Sequence, residues 1–332
     1  MEATTTWVLL SFLLAAAGTW LARRYALRFQ LLDQPGERRS HAVSTPRGGG
    51  ISIVVCMLLG IAWVGIQQPQ LGLLMMCLAV GLLLVAGIGW MDDHRPLSPL
   101  LRLAVQALAA LVLAVAFHRA TASLSTAVIA FVAVMVMVNV WNFMDGIDGL
   151  AASQAAIAAA GLALLLDAGV WSWLAAGLFT AIAGFLPFNF PKAQIFLGDV
   201  GSGALGYLLA ALLVAGHLSV AGSIPWPLLL LPVSAFLVDA GFTLAMRMLN
   251  RERWWQPHVQ HTYQVWARRL GQHVPVTLAY AVFSLLAVIL ALAALRWSPA
   301  ATIWICCAWY GFAILAWARL RRDVKLSKEA SQ

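Results

Sequence analysis

The chain has 332 residues, of which 62% are hydrophobic and only 10% charged. A soluble domain of that length carries far more charge, so a soluble enzyme or binding module is excluded. The apolar runs are continuous and do not alternate, which also excludes a closed barrel. The formal net charge of +8 does not point to nucleic acid, because the basic residues lie in short loops between apolar runs, where membrane topology accounts for them.

About eleven runs have the roughly 17–23 residues that a helix needs to cross a bilayer. They fall near residues 4–22, 49–66, 71–90, 99–117, 124–141, 150–167, 171–187, 204–221, 226–246, 274–295 and 301–318. The prediction is an all-α fold, a polytopic transmembrane helical bundle in one membrane domain over residues 1–332, with polar loops near 23–48, 91–98, 188–203 and 247–273. No Lys or Arg precedes the first run, and Arg23 and Arg24 follow it. A cleaved signal peptide has its positive charge first, so this run is expected to stay as a span. Alternating the spans puts nineteen of the 21 Lys and Arg residues on one side, with only Arg119 and Arg296 on the other. The positive-inside rule makes the rich side cytoplasmic, which leaves the N-terminus periplasmic and the C-terminus cytoplasmic. Asp33, Asp92, Asp93, Asp145, Asp148 and Asp199 then share the cytoplasmic side. Cys56, Cys77, Cys306 and Cys307 lie in apolar runs without a metal-ligand spacing and read as small core residues.

Carboxylates at the ends of apolar spans are costly, and their default reading is a functional site. Asp92 and Asp93 close the third run; such adjacent acids repel unless a cation offsets them, and Mg²⁺ does so while binding phosphate oxygens. A solvated acid pair is the plainer alternative. Asn139, Asn142, Asp145 and Asp148 recur at steps of three, which on a helix makes one drifting polar face. A polar helix–helix interface explains the same stripe less economically. FLGDVGSG, residues 196–203, reads as a glycine-rich loop that closes onto a helix N-terminus. Its backbone N–H groups favour phosphate, with Asp199 as a metal ligand and Lys192 as a phosphate contact. Asp239, in the middle of the ninth run, either supports the site or makes a structural pair. His258 and His261 suit phosphate contact or leaving-group stabilisation better than zinc, for which further ligands are lacking. A plain surface pair is the alternative. Arg38, Arg39, His41 and Arg47 form a basic first loop, suited to anionic headgroups, with a Pro and Gly frame that implies a defined shape.

In order and spacing these segments resemble the polyprenyl-phosphate N-acetylhexosamine-1-phosphate transferases of glycosyltransferase family 4. The resemblance rests on the Asp33–Gly49 loop, Asp92–Asp93, the Asn139–Leu150 stripe, Phe196–Ser202 and the late His loop. It implies an enzyme of the bacterial inner membrane, working on its cytoplasmic face among membrane lipids. The implied reaction moves a sugar 1-phosphate from a UDP-N-acetylhexosamine (UDP-GlcNAc, UDP-GalNAc or a 6-deoxy relative such as UDP-FucNAc) to undecaprenyl phosphate. UMP is released, and Mg²⁺, or Mn²⁺ in its place, is the cofactor. Asp199 is then the main metal ligand, with Asp92 and Asp93 organising metal and lipid phosphate. Asn142, Asp145 and Asp148 line the donor site, and His258 and His261 the pyrophosphate side. The two histidines are separated by Val259 and Gln260, which favours the branch that initiates O-antigen over the phospho-N-acetylmuramoyl-pentapeptide translocases. Direct attack by the lipid phosphate is preferred to an aspartyl intermediate on Asp92 or Asp93. A secondary transporter keeps its acids near the midplane and often in two repeated halves, neither of which is seen here. The resemblance gives no role to nucleic acid and leaves a homo-oligomer open.

Overall fold

The computed structural model describes residues 2–34, 44–166, 168–219, 226–253 and 259–329. Among them the chain forms helices α1 (Glu2–Arg28), α2 (Ile51–Gln67), α3 (Gly72–His94), α4 (Pro99–Thr121), α5 (Leu124–Phe143), α6 (Leu150–Leu165) and α7 (Val170–Phe185). They are followed by α8 (Gly198–Ser219), α9 (Trp226–Leu229), α10 (Ser234–Leu249), α11 (Thr262–Leu270), α12 (Val274–Ala294) and α13 (Pro299–Glu329). The only extended pairing described is a two-residue antiparallel ribbon, with Leu32 opposite Pro46 and Asp33 opposite Thr45. The protein is a polytopic helical bundle.

Nine helical segments among the described residues are long and apolar enough to cross a membrane. The remaining two predicted runs are helices as well, but shorter: 17 residues in α2 and 16 in α6. Helix α6 is cut short because Gly149 before it is left-handed and Leu166 after it is extended. Helix ends follow local chemistry. Pro99 opens α4 while the Ser98 hydroxyl accepts the Leu101 N–H at 3.3 Å, and the Ser123 hydroxyl accepts the Thr126 N–H at 3.2 Å to start α5.

Helix α8 is the hub. It packs on α2, α3, α5, α6, α7 and α9, and 94% of its apolar stretch is buried, against 22% for α1 and α13. Its sequence, GDVGSGALGYLLAALLVAGHLS, is rich in small residues, which lets six neighbours approach a single rod. Polar groups inside the bundle are paired across helices. Thr19 and Ser52 share a hydrogen bond of 2.9 Å, and the Asn139 amide donates to Gln106 Oε1 at 3.0 Å.

Chain alternation brings the C-terminal ends of α3, α5 and α10 together with the N-terminal ends of α4, α8 and α12. At this polar end the segment after the ribbon lies along residues 196–197. Phe196 N donates to Pro46 O at 2.7 Å, Gly49 N to Phe196 O at 2.9 Å and Gly50 N to Leu197 O at 2.9 Å. The contact is so close that a Cβ on Gly50 would lie 2.2 Å from the Gly201 Cα. Gly50→Ala is therefore expected to force the segment off α8 and to cost about 1–3 kcal/mol, the usual range for overpacking. Gly87→Ala, whose Cβ meets nothing within 4 Å, serves as the neutral control. Thermal unfolding of the two purified variants in detergent checks this: Gly50→Ala should melt several degrees lower and Gly87→Ala should not.

Candidate active site

The strongest junction at the polar end is made by Asp93. Asp199 N donates to Asp93 Oδ1 at 3.1 Å and Val200 N to Oδ2 at 3.2 Å. A carboxylate on α3 thus satisfies the free N–H groups of the first turn of α8, where helix polarity favours negative charge. Arg47 lies on the other side of it, with Nε 3.8 Å from Asp93 Oδ1, Nη1 3.9 Å from Asp33 Oδ1, and Nη2 donating to the Asp93 carbonyl. Gly198 reaches this position with a φ of +77°, and a Cβ there would lie 2.5 Å from Asp93 Oδ2.

Asp92 points elsewhere. Its Oδ1 accepts the Leu97 N–H at 2.6 Å, and its Oδ2 lies 2.9 Å from Arg102 Nη1. That same nitrogen is 3.1 Å from Asp199 Oδ2. Two carboxylates from α3 and α8 therefore converge on one positive charge from the first turns of α4. The Asp92 and Asp199 side chains keep 13% and 33% of their surface open, against 2% for Asp93. The two adjacent acids, expected to share one metal, are thus divided between two tasks. Asp93 holds α8, and Asp92, more exposed, meets Asp199 at Arg102. Successive residues on a helix point about 100° apart, which is why neighbours in sequence separate here.

The predicted polar stripe is broken in the middle. Helix α5 ends at Phe143, and Asp145 and Asp148 belong to the irregular segment before α6. Gly146 and Gly149 interrupt the helical repeat there, as Gly149 takes a φ of +72°. Asn139 faces α4 and not the site. Asn142 stays at the site, its amide donating to Ser202 Oγ on α8 at 3.3 Å. Asp148 Oδ2 lies 3.3 Å from His273 Nδ1, and Thr277 Oγ1 donates to the Asp148 carbonyl at 2.8 Å. Asp145 is half-buried. The protein packed around it, and secondarily the Asp93 charge, push its pKa up to about 7. The glycine-rich loop is shorter than expected, because α8 already begins at Gly198 and Asp199 sits in its first turn.

His261 is not on a helical face. It is the N-cap residue of α11, with its backbone N–H donating to Gln264 Oε1 at 3.3 Å, and is 3% exposed. Burial holds its pKa below the ordinary range, so the ring is neutral at neutral pH. The ring is packed inside the protein at the start of α11 and does not stand in the open loop expected from sequence. Asp239 proves structural, capping α11 from α10. Lys192 is exposed on the segment before α8. Arg38, Arg39, His41 and His258 lie outside the described residues.

Sequence reasoning passed over Arg102 and His273 as site residues. Arg102 had a signal: a lone cation inside the fourth apolar run is the same anomaly that singled out Asp239. His273 had none, since only the fold brings it to Asp148.

Residues 74–217 match glycosyl transferase family 4. Over that stretch, less than half of its length, the chain is similar to the family. The matched stretch runs from α3 to α8 and contains Asp92, Arg102, Asn142, Asp145, Asp148 and Asp199. A probable undecaprenyl-phosphate N-acetylglucosaminyl 1-phosphate transferase of Bacillus subtilis is 28% identical over 86% of this chain and 82% of its own length. An undecaprenyl-phosphate alpha-N-acetylglucosaminyl 1-phosphate transferase of Thermotoga maritima is 29% identical over 75% of this chain and 77% of its own. A decaprenyl-phosphate N-acetylglucosaminephosphotransferase of Mycobacterium tuberculosis is 33% identical, over 57% of this chain and 54% of its own.

The raised pKa of Asp145 has a consequence for stability. Between the ordinary carboxylate value and about 7 the folded protein holds a proton that the unfolded chain has released, so stability falls as pH rises through that window. Asp145→Asn removes the charge and is expected to raise the melting temperature at pH 8. The gain should shrink as pH drops below 7 and vanish near the ordinary carboxylate value of about 3.9. Melting curves of both proteins across that range check the sign.

Proposed function

We propose that this protein transfers N-acetylhexosamine 1-phosphate from a UDP-sugar to undecaprenyl phosphate, releasing UMP, with UDP-N-acetylglucosamine as the first donor to test. The observation that carries this reading is the meeting of Asp92 and Asp199, from two helices, at Arg102, beside the Asp145–Asp148 segment. The similar transferases named above support the acceptor and the sugar. Nineteen of 21 basic residues on one side of the bundle support a cytoplasmic polar end, a periplasmic N-terminus and a place in the bacterial inner membrane. The product would be the first lipid-linked sugar of a surface glycan such as O-antigen.

The residues fit a divalent cation. Among the described residues no three His, Cys, Asp or Glu side chains converge into a closed metal cage. Asp92 and Asp199 instead offer two hard carboxylate oxygens next to open space. That matches Mg²⁺ in phosphoryl-transfer sites, which takes one or two carboxylates and fills its shell with phosphate and water. When bound, Mg²⁺ supplies charge neutralisation for the oxygens around the reacting phosphorus.

The chain's own groups supply the rest. Arg102 sets a permanent positive charge where two anionic substrates must approach each other. Asp145 and Asp148 mark the segment read as the donor site, with Asn142 beside it. In the reaction a lipid phosphate oxygen forms a bond to the β-phosphorus of the donor. The bond from that phosphorus to the bridging oxygen breaks, and its electron pair leaves with UMP. A phosphate monoester has a second pKa near ~6, so the attacking group is already largely dianionic and needs no strong base. Positioning and charge balance then carry the rate.

Purified protein, undecaprenyl phosphate, Mg²⁺ and a panel of UDP-N-acetylhexosamines test the proposal by UMP release. UMP should appear with UDP-GlcNAc, depend on lipid and divalent cation, and fall by about two orders of magnitude or more in Asp199→Asn, as when a transition-state charge partner is lost. Uptake of intact UDP-sugar into proteoliposomes without UMP release would establish a transporter and sink the reading.

A further inference from the structure

Asp239 sits in mid-helix on α10 and is 2% exposed, yet it takes no part in the Asp92–Asp199 meeting point. Both of its oxygens are engaged. Oδ1 accepts the Thr262 N–H at 2.8 Å and the Thr243 hydroxyl at 3.2 Å, and Oδ2 accepts the Tyr263 N–H at 3.1 Å and the Tyr280 hydroxyl at 2.7 Å. A buried carboxylate on one helix thus fixes where another helix begins, since two free N–H groups of α11 have it as partner. The second residue of α11 is Tyr263, 1% exposed. Its hydroxyl donates to the Phe143 carbonyl at 3.0 Å, at the last residue of α5. A Cβ on Gly146 would lie 2.3 Å from that hydroxyl, so the ring bears directly on the turn between Asp145 and Asp148.

That segment has no regular structure to hold it. Its shape depends on groups supplied from outside: Tyr263 from α11, and His273 and Thr277 from the start of α12. All three lie beyond the stretch that matches the family, residues 74–217. We propose that Tyr263, seated by Asp239, is a positioning residue that fixes the Asp145–Asp148 segment against the end of α5 and thereby sets the affinity for the UDP-sugar. The proposal rests on the reading of that segment as the donor site. Tyr263→Phe keeps the ring and its packing and removes one donor. The Phe143 carbonyl, a helix-end acceptor without an onward turn, loses its partner.

The test uses the full-length protein in detergent. In Tyr263→Phe the KM for UDP-GlcNAc should rise about tenfold, the size of one hydrogen bond, while kcat and the KM for undecaprenyl phosphate stay within about twofold. Hydrogen exchange should speed up in residues 143–149 and stay unchanged in 196–203. Asp239→Asn, which faces one of the two N–H groups with an amide donor, should give the same split, and it decides the matter if Tyr263→Phe does not fold. Tyr310→Phe, whose hydroxyl donates to Pro227 O at 3.3 Å, is the control and should change nothing. An unchanged donor KM overturns the proposal, and so does an equal rise in both KM values. If the wild type releases no UMP from any UDP-sugar, the functional reading fails and exchange alone decides: faster exchange in 143–149 upholds the positioning role, and unchanged exchange refutes it.

Discussion

A carboxylate enclosed by helices needs a fixed partner, and at the polar end of this bundle the first partner is another helix. Asp93 on α3 accepts the N–H groups of Asp199 and Val200 with its two oxygens, which joins the end of α3 to the start of α8. Because α8 is the rod on which six other helices pack, that joint sets the reference for the helices around it. It also decides the direction of Asp199. With its backbone held by Asp93, its side chain turns toward Asp92 and Arg102. The glycines follow from the same joint, since only a backbone without Cβ lets Gly198 approach the Asp93 carboxylate and Gly50 approach α8.

The same solution recurs nearby. Asp239 caps α11 from α10 as Asp93 caps α8 from α3. Arg47 joins Asp93 to Asp33, Arg102 joins Asp92 to Asp199, and His273 lies against Asp148. The acids therefore sort by how completely they are satisfied. Asp93 and Asp239 have both oxygens bound and little exposure, and they shape the protein. Asp92, whose other oxygen accepts the Leu97 N–H, and Asp199 share one cation and keep 13% and 33% of their side-chain surface exposed. Asp145, half-buried with a raised pKa, is held in the charged form only against the cost of its surroundings. Charge left incompletely balanced at an accessible point is what a site for anionic substrates and a cation requires. Placement at helix ends, and not in mid-membrane, separates it from a transport pathway.

Much of this was legible in the sequence because burial in a bilayer leaves a coarse mark. Among the described residues the apolar runs are helical, the run 226–246 being broken into α9 and α10, and the acids that mark the site lie near the ends of those runs. Finer readings failed where the argument assumed that a local pattern persists. The three-residue steps from Asn139 to Asp148 suggested one helical face, but α5 ends at Phe143, so Asn139 stays on the helix against α4 while Asp145 falls in the irregular segment before α6. Asp92 and Asp93 looked like one unit, yet a helix turns neighbouring side chains apart. His261 read as a phosphate or leaving-group contact, with a surface pair as the alternative, and the fold places it as the buried N-cap of α11.

The sequence by itself determined the class of protein, the order of its apolar helices and the family of the reaction its motifs resemble. These depend on composition and spacing along the chain, which a linear reading contains. Only the tertiary structure decided which acids meet at Arg102 and which ones hold helices, because that depends on partners 97 to 129 residues away, such as Arg102 with Asp199 and Thr277 with Asp148. A carboxylate has no role fixed by its neighbours in sequence. Its role is set by whether an N–H group, a cation or open space lies within about 3 Å of its oxygens once the chain has folded.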